Sequence, residues 1–335
     1  MTPLVEVARD EWDGLLADLG VTDVYFRRPY LESAALLGQG APVFLHQPAS
    51  GMVFPALACD AGEGYSDIGT PMGYGGPVAT GNDPPVADFF EAYEHWCAER
   101  RAVTTFARFH PVLANQTLAE DRWHVQPIGH TIGWRLGGRA PDEVFDGLDA
   151  HHRRVVRKAR RAGVEVVPAI GADELGSFVE LYRETMRRRE ASEFYYFPDE
   201  YWVHLANELG DALLRFDAYE DGELAASILC LASPPLLHYH LGASSERGQS
   251  LGANHVLFYE TGAWAGAHGF SVFHLGGGVG GFEDSLYEFK RRFDPGGRLV
   301  ATLGKAVHDR EAYLRLAGAR EIDYAGYFPA YRQSG

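Results

Sequence analysis

The segment HHRRVVRKARRAGVEV (residues 151–166) carries the most unusual charge pattern of this 335-residue chain. Its first eleven residues, 151–161, hold six cations and no anion. At 100° per residue these cations fall within an arc of about 160°, and the apolar residues occupy the other side. The segment therefore predicts an amphipathic helix that ends near Gly163, followed by a short strand over residues 164–167.

The basic face of this helix has two explanations. It consists of Arg153, Arg154, Arg157, Lys158, Arg160 and Arg161. A charged face is usually solvated and balanced by acidic neighbours, but no Asp or Glu lies within the run to form i, i+4 pairs. A site for phosphates or another anionic ligand is the alternative, and both explanations stay open.

The charge of the whole chain bears on that choice. Against 46 Asp and Glu there are 30 Lys and Arg, a formal net charge of −16, and removing the six cations of the basic segment leaves −22 on the rest. A broad, non-specific nucleic-acid surface is excluded, whereas one local phosphate-binding stripe is compatible with this distribution. The 46% of hydrophobic residues predicts a sizeable core, and the length predicts two domains or one large one.

Downstream of the basic segment, periodicity predicts an α/β pattern. The predicted elements are a helix over 173–189, an aromatic loop over 190–202, three strands between 213 and 244, a helix from 248–252 to about 268, a strand over 270–277 and a helix over 282–293. Turns at Asp221-Gly222 and Pro234-Pro235 separate the three strands. The four consecutive aromatic residues of the loop, next to the arginines that end the preceding helix, indicate a binding surface for a nucleotide, sugar or peptide.

The first part of the chain also alternates helical and extended patterns. The predicted elements are helices over 11–19 and 89–101 and strands over 43–46, 52–57, 104–109 and 132–136. Between them SDIGTPMGYGGPVATG (66–81) is dense in Gly and Pro, which predicts a loop without regular structure. Such a loop is either a connector rich in turns or the wall of a ligand site formed by backbone N–H groups and Tyr74.

Cysteine usage and hydropathy indicate the environment of the chain. Cys59, Cys97 and Cys230 are odd in number and show no Cys-x-x-Cys spacing, which favours a reducing compartment. The start MTPLVEVARDEWDGLL lacks the basic and apolar regions of a secretory signal. The longest uncharged window, 224–245, is interrupted by two prolines and predicts strands rather than a membrane span. We therefore expect a soluble, cytoplasmic protein with no integral membrane segment.

The order of elements from residue 149 onwards resembles the acyltransferase fold of the GNAT superfamily. More narrowly, the chain resembles the Fem family of aminoacyl-tRNA-dependent transferases, which build peptidoglycan cross-bridges with two tandem GNAT-like domains. The stretches that carry this resemblance are GTPMGYGGPV (69–78), RRVVRKARRAGVEV (153–166), HYHLGASSE (238–246) and FHLGGGVGGFEDSLYEFKRRF (273–293). The resemblance implies an α/β fold of the α+β type, with mixed central sheets flanked by helices. The implied domains are 1–148, completed by 303–335, and 149–302.

The resemblance also implies catalytic residues. The Phe-Lys pair at 289–290 matches the family's final motif, whose lysine is associated with the reacting carbonyl. An ammonium at that place stabilises a tetrahedral oxyanion by about 3–4 kcal/mol, which is the role expected of Lys290. His274 stands where the family usually has an acid. His274, Tyr239 and His240 are the candidate proton carriers, although a histidine in a strand is more often a hydrogen-bonded core residue.

Substrate contacts are implied in the same way. The family holds the phosphates and sugar-peptide of a nucleotide precursor with an arginine and tyrosines from the loop before its hairpin sheet. The candidate substrate-binding residues are Arg188, Tyr195, Tyr196, His240 and Tyr74. An acidic residue expected shortly after the Gly-Pro-Val of the first domain is missing, since Thr80 and then Asp83 follow there.

Three functions follow from these features. The first is transfer of an aminoacyl group from a charged tRNA to an amine of a peptidoglycan precursor or another nucleotide- or lipid-linked peptide. In this function the tRNA backbone contacts Arg153, Arg154, Arg157, Lys158 and Arg161. The second uses acyl-CoA as donor, because the turn containing Gln249 and Gly252 resembles the GNAT turn that binds pyrophosphate at a helix N-terminus. The third is a non-catalytic GNAT-like binding module, supported by the departures at Thr80 and His274.

No tightly bound cofactor is expected for any of these functions. His238-Tyr239-His240 contains two residues of a metal-binding type. It lacks further ligands at a suitable spacing, so the sequence predicts no metal site.

Overall fold

The computed structural model describes residues 2–81, 84–170 and 175–333. Asp83, and the first residues of the helix predicted from 173, lie outside the described residues. The chain divides into two compact units, Met1–Ile128 with Val300–Gly335 and Gly129–Leu299. The divisions fall inside the strands His124–Arg135 and Arg298–Val307, whereas the sequence placed the boundaries at 148 and 303.

The bounds of the regular elements are as follows. The strands are β1 (Val5–Glu6), β2 (Ala41–Gln47), β3 (Met52–Gly62), β4 (Tyr65–Gly69), β5 (Val78–Ala79), β6 (Ala102–Arg108), β7 (His124–Arg135), β8 (Glu165–Ile170), β9 (Leu213–Glu220), β10 (Glu223–Ser233), β11 (Leu236–Ser244), β12 (Val272–Gly276) and β13 (Arg298–Val307). The helices are α1 (Trp12–Asp18), α2 (Arg28–Leu36), α3 (Val86–Glu99), α4 (Pro141–Asp146), α5 (Ala150–Arg161), α6 (Gly176–Arg188), α7 (Asp199–Leu209), α8 (Glu246–Leu251), α9 (Ala253–Ala267), α10 (Ser285–Arg291) and α11 (Arg310–Ala317).

The first unit contains a mixed sheet covered on both faces. Its strands follow the order β1-β2-β3-β4-β6-β13, and β5 pairs with β3. Residues alternate across β3, because successive side chains of a strand point to opposite faces. Val53 and Leu57 pack with Trp12 in the cluster of α1 and α2, whereas Phe54 and Ala56 pack in the cluster of α3.

The end of the chain belongs to the first unit. Strand β13 pairs antiparallel with β6, and Tyr313 of α11 and Phe328 pack against Val103. The buried carboxylate of Asp67 accepts a hydrogen bond from the Tyr331 hydroxyl at 2.5 Å and from the Arg332 guanidinium at 2.7 Å. The tail is thus fixed by side-chain bonds as well as by apolar burial.

The second unit contains the sheet that positions the candidate site. Its strands follow the order β7-β12-β11-β10-β9-β8, with β11 and β12 parallel and the other pairs antiparallel. Helix α9 packs against the sheet through Trp264, whose ring lies 5.1 Å from that of Phe216. Helix α5 packs on α9 through its apolar side, since Val156 and Ala159 are buried in the same core.

Two sequence expectations are corrected by these elements, and two elements were not predicted. The segment 66–81 is not one irregular loop, because its first residues pair as β4 with β3 and β6 and residues 78–79 pair as β5. Residues 199–202, expected in the aromatic loop, begin helix α7, whose buried face includes Leu205. Strand β13 and helix α11 were not predicted. Long-range pairing creates β4, β5 and β13, and local periodicity does not report it.

Among the described residues, no helix is both long enough and apolar enough to cross a bilayer.

Candidate active site of the second unit

Lys290 lies on α10, which contacts strand β12 of the second unit. The helix begins after Asp284, whose carboxylate accepts hydrogen bonds from the backbone N–H groups of Tyr287 and Val279 at 2.9 and 3.1 Å. The Lys290 side chain is 5% exposed, and its Nζ donates to the Gly277 carbonyl at 2.7 Å. Nζ also lies 5.1 Å from the centre of the Tyr239 ring, so two of the three predicted catalytic residues are in contact.

The protonation of Lys290 is set by its surroundings. Burial lowers the pKa of Lys290 to about 7, and the nearby carboxylate of Asp284 opposes this shift. At neutral pH the ammonium and the amine are therefore both populated. An ammonium has three N–H donors, and one of them is used by Gly277. The others can stabilise a developing oxyanion, and the neutral amine can accept a proton.

The glycines before α10 allow this arrangement. A Cβ on Gly278 would lie 2.1 Å from the Phe282 carbonyl oxygen and 2.3 Å from Oδ1 of Asp284. Neither atom can move away easily. The carboxylate of Asp284 caps α10, and the Phe282 oxygen belongs to the backbone of the loop. The loop geometry that presents the Gly277 carbonyl to Lys290 thus requires glycine at 278.

His274, the third predicted catalytic residue, lies on β12 opposite His238 of β11. Both side chains are buried, and their Nδ1 atoms are 3.4 Å apart. On its other side, Nε2 of His274 is 3.0 Å from the Thr131 hydroxyl. His274 is therefore part of a buried hydrogen-bonded chain within the unit, and its role in proton transfer stays a prediction.

A β-bulge separates the side chains of Tyr239 and His240. Leu229 of β10 pairs with Leu241 and Cys230 pairs with Tyr239, so His240 is the extra residue of β11. Bulges of this kind re-aim side chains and are frequent beside active sites. Nε2 of His240 lies 2.8 Å from the hydroxyl of Tyr201 on α7. Burial and the neighbouring His238 lower the pKa of His240 to about 4, which keeps this imidazole neutral at pH 7.

A tyrosine cluster joins the aromatic loop to Tyr239. Tyr182 of α6 is buried, and within the described residues its hydroxyl has no hydrogen-bond partner. Burial raises the pKa of Tyr182, and the nearby phenol groups of Tyr239, Tyr195 and Tyr196 raise it further. The predicted tyrosines 195, 196 and 239 thus surround a residue that the sequence identified only as a buried helix position.

The sequence predicts that Arg188 binds substrate, but Arg188 is bonded within the protein and the next residue, Arg189, is exposed. The Arg188 guanidinium donates to the Ser244 carbonyl and lies 3.4 Å from a carboxylate oxygen of Glu184. It fastens α6 to the end of β11 and is engaged by the protein. The next residue, Arg189, is exposed and close enough to Tyr239 to oppose the rise in pKa that burial gives that phenol. We therefore regard Arg189 as a binding candidate that the sequence motif missed by one position.

The basic helix is amphipathic as predicted. His152, Val156 and Ala159 are buried, and the cationic side chains on the other side are exposed, except that Arg153 is half-buried. Within the described residues, Arg160 is the only one of the six cations with a carboxylate in salt-bridge range, that of Glu260. The explanation by acidic neighbours thus accounts for one charge of the six.

The turn between α8 and α9 meets the basic helix. Nζ of Lys158 lies 3.5 Å from the Ser250 carbonyl, and a Cβ on Gly252 would lie 2.5 Å from Cγ1 of Val155. Gly252 also has a φ of +82°, which favours glycine. The Gln249 amide donates to the Ser244 hydroxyl at 3.3 Å, although the residue is exposed. The basic face of α5 and the α8–α9 turn, which are the two predicted phosphate-binding features, therefore lie side by side.

Tyr74 belongs to the first unit. Its ring packs edge-to-face against Tyr25 at 5.3 Å and lies 5.6 Å from the ring of His110. Burial raises the pKa of Tyr74. The preceding backbone is held by Tyr30, whose hydroxyl donates to the Met72 carbonyl at 2.5 Å. The segment is a fixed, aromatic-lined loop, and the contact of Tyr74 with substrate stays a prediction.

Thr80 replaces the acid expected in the first unit. Its hydroxyl donates to the Gly51 carbonyl at 2.8 Å, and its backbone N–H bonds to the same carbonyl at 3.2 Å. These bonds give Thr80 the role of closing a turn.

Comparison with known proteins defines the class. Residues 149–291 match the family model described as an acetyltransferase (GNAT) domain. The fold is, more narrowly, that of two tandem GNAT-like domains of the FemX type, as predicted. The crystal structure of FemX matches with a TM-score of 0.67 and 13% identity, covering 93% of this chain and 99% of that one.

Two further solved structures agree with this fold. L-PGS from Bacillus licheniformis matches with a TM-score of 0.59 and 13% identity over 89% of this chain and 92% of its own. A tandem GNAT protein from the clavulanic acid biosynthesis pathway matches with a TM-score of 0.55 and 12% identity over 91% and 98%. No curated protein matches the chain in sequence.

Proposed function

We propose that this acyltransferase moves an aminoacyl group from an aminoacyl-tRNA to an amine of a peptide-like acceptor, with a nucleotide- or lipid-linked peptidoglycan precursor as the leading candidate. The observation that carries the proposal is the exposed cationic face of α5. Five of its six cations have no carboxylate partner among the described residues, and the face adjoins the α8–α9 turn. A polyanionic donor fits such a face better than a small neutral one.

The chemistry proposed at Lys290 is that of amide formation from an ester. The neutral amine of the acceptor attacks the ester carbonyl, which forms a C–N bond and places negative charge on the carbonyl oxygen. The Lys290 ammonium donates a hydrogen bond to this oxyanion. The intermediate collapses by breaking the bond to the ribose oxygen, which leaves with the proton that the amine loses. His274, Tyr239 and His240 are the candidates for carrying that proton.

The acceptor is proposed to bind at the tyrosine cluster. The exposed Tyr196 and Arg189 present an aromatic face and a guanidinium. The Tyr182 hydroxyl, which has no hydrogen-bond partner in the described part of the chain, offers a buried hydrogen bond. Peptide and nucleotide groups use such partners. No tightly bound cofactor is needed for this reaction, and we place it in the cytoplasm, where charged tRNA is available.

Acyl-CoA is the second candidate donor. The match of residues 149–291 to an acetyltransferase domain and the turn at 249–254 favour it. Against it, the side chains of Gln249 and Asn254 both donate to the Ser244 hydroxyl, so they are engaged within the protein.

A turnover screen separates these donors. The full chain is incubated with charged tRNAs or acyl-CoAs and with nucleotide-linked peptide acceptors, and the acceptor is read by its mass shift. We expect an aminoacyl mass increment that depends on charged tRNA and is lost in Lys290→Met. An acyl increment from acyl-CoA alone would contradict the proposed donor. Absence of turnover with every donor, with acceptor binding retained, would support the binding-module alternative.

A further inference from the structure

Three histidines from two packed helices come together on the second unit. His151 and His152 lie in the first turn of α5, and His255 lies in the first turn of α9. One ring nitrogen of each lies within 4.8 Å of one from each of the others. The rings of His152 and His255 are closest, with centroids 4.6 Å apart at an angle of 74°.

Two of these rings each carry a buried nitrogen atom that has no hydrogen-bond partner among the residues that the structure describes. Nε2 of His152 lies 2.9 Å from the Phe289 carbonyl oxygen, and a carbonyl only accepts, so this nitrogen is the one that bears the proton. Nδ1 of His152 is then a bare lone pair, and within the described residues it has no hydrogen-bond partner. Nδ1 of His255 is also buried and unpartnered. A buried unpaired polar atom costs about 1–3 kcal/mol, so a ligand at this place would remove a real penalty.

We propose that His151, His152 and His255 bind a divalent transition-metal ion, with Zn²⁺ as the first candidate. Imidazole nitrogens suit Zn²⁺, and a second ring nitrogen bonded to a backbone carbonyl, as in His152, is the usual way a metal-binding histidine is oriented. Three histidines with an open fourth position are an established zinc arrangement. His151 is exposed, so water reaches that position.

The geometry requires a small adjustment. Tetrahedral zinc with bonds of about 2.0–2.1 Å brings ligand nitrogens to about 3.3 Å, so the rings must approach further. The exposed His151 is the side chain with most freedom to move. Nδ1 of His151 currently accepts from the Arg154 guanidinium at 3.1 Å, and Arg154 must release it.

Two nearby arginines, Arg154 and Arg292, would repel the bound ion, and this repulsion provides a test of the proposal. Arg154 contacts His151, and Arg292 is near enough to His152 and His255 to lower the pKa of both. Burial is the main cause of those low pKa values, about 4 for His152 and about 3 for His255, so both rings are neutral ligands at pH 7. Arg154 would repel the ion and now occupies Nδ1 of His151, so its removal should tighten metal binding.

The bound ion would tie α5 to α9. Because His152 is also hydrogen-bonded to the Phe289 carbonyl, the bound ion would be linked to the residue before Lys290 as well. The basic face of α5 would thereby be fixed relative to α10. This site is independent of the proposed function and does not require it.

The test is calorimetric titration of the untagged full chain with ZnCl₂, together with the visible spectrum of the Co²⁺ form. We expect one ion per chain and a spectrum typical of tetrahedral Co²⁺. His152→Gln and His255→Gln should lose saturable binding, His151→Gln should weaken it, and Arg154→Ala should strengthen it. Since His151 is exposed, its variant folds even if that of the buried His152 does not, and circular dichroism in EDTA checks each fold.

His268→Gln is the matched control, because His268 is exposed at the other end of α9 and stacks on Trp264. It should bind Zn²⁺ like the unmodified chain. Absence of saturable binding, equal loss in His268→Gln, or binding that persists in both His151→Gln and His255→Gln would overturn the proposal.

Discussion

The ammonium group of Lys290 lies 5.1 Å from the centre of the Tyr239 ring, which joins α10 to the bulged part of β11. The face of an aromatic ring attracts a cation, whereas burial favours the neutral amine. Burial dominates and lowers the pKa of Lys290 to about 7. The charge on this residue therefore changes near neutral pH, and three of the predictions below concern the surroundings of this pair.

Replacing Lys290 by Met should reduce kcat by about 10²–10³, because one oxyanion donor contributes about 3–4 kcal/mol to the transition state. Single-turnover transfer to a peptide acceptor measures the effect. Arg291→Met is the matched control, since Arg291 is the next residue of the helix and pairs with Glu288 at 2.7 Å. Equal losses in the two variants would show that Lys290 has no specific role.

The stability of the protein should depend on Lys290 above neutral pH. Between about pH 7 and the usual lysine pKa of 10.5, the unfolded chain binds a proton at this residue that the folded chain does not. Stability therefore rises with pH across this window, by about 2 kcal/mol between pH 7 and pH 9. Urea unfolding of the unmodified chain and Lys290→Met measures the difference. A variant with the same rise would contradict the assigned pKa shift.

Replacing Tyr182 by Phe should affect acceptor binding without reducing the stability of the fold. Its hydroxyl is buried without a partner among the described residues, so removing it should leave the free energy of unfolding unchanged or raise it by about 1 kcal/mol. If the acceptor bonds to this hydroxyl, KM should rise while kcat changes little. Thermal unfolding and steady-state kinetics give the two readouts. A marked loss of stability would show that the hydroxyl has a structural partner instead.

Local sequence patterns are sufficient to predict most of the helices and strands that carry the candidate site. The cation spacing of 151–161 predicted α5 and its buried side, and turn residues predicted the three strands between 213 and 244. Helix α7 also had a local signal, since Asp199 and Glu200 follow Pro198 at its start. The aromatic residues next to it favour a loop, and the predicted loop therefore includes the first residues of α7.

Other features depend on contacts between distant residues and leave no local trace. The Tyr182 hydroxyl, which has no hydrogen-bond partner among the described residues, is buried because the rings of Phe197 and Trp202 from further along the chain pack against that of Tyr182. Likewise, His152 and His255 are about a hundred positions apart in the chain and meet only through the packing of α5 on α9. Sequence spacing finds ligands on one element and misses those that tertiary packing assembles.

The basic helix should give charged tRNA a salt-dependent affinity. Each phosphate contact adds about 0.7–0.9 to the slope of log K against log salt concentration. Replacing Arg157, Lys158 and Arg161 by Ala should reduce that slope by about 2–3. Arg160→Ala is the matched control, because Glu260 already neutralises Arg160, and its slope should change by less than one contact. An unchanged slope in the triple variant would remove α5 from the donor site.

The tail of the chain should stabilise the first unit through Asp67. Its carboxylate is buried and accepts from Thr104, Tyr331 and Arg332, so Asp67→Asn should lower the free energy of unfolding by about 2–3 kcal/mol. Asp60→Asn is the control, because its exposed carboxylate only closes a local turn to Gly62. Denaturant unfolding measures both variants. Equal, small effects would show that apolar burial alone holds the tail.

The return of the tail has a consequence for how the chain is made. Residues 2–128 leave the ribosome before the strand that pairs with β6 and before the arginine that bonds to Asp67 have been translated. The second unit, in contrast, is one continuous stretch of chain. The whole second unit is therefore translated before the first unit is complete, although the N-terminal part of a chain usually folds first. The first unit is completed last, and until then the edge of β6 needs protection from other chains.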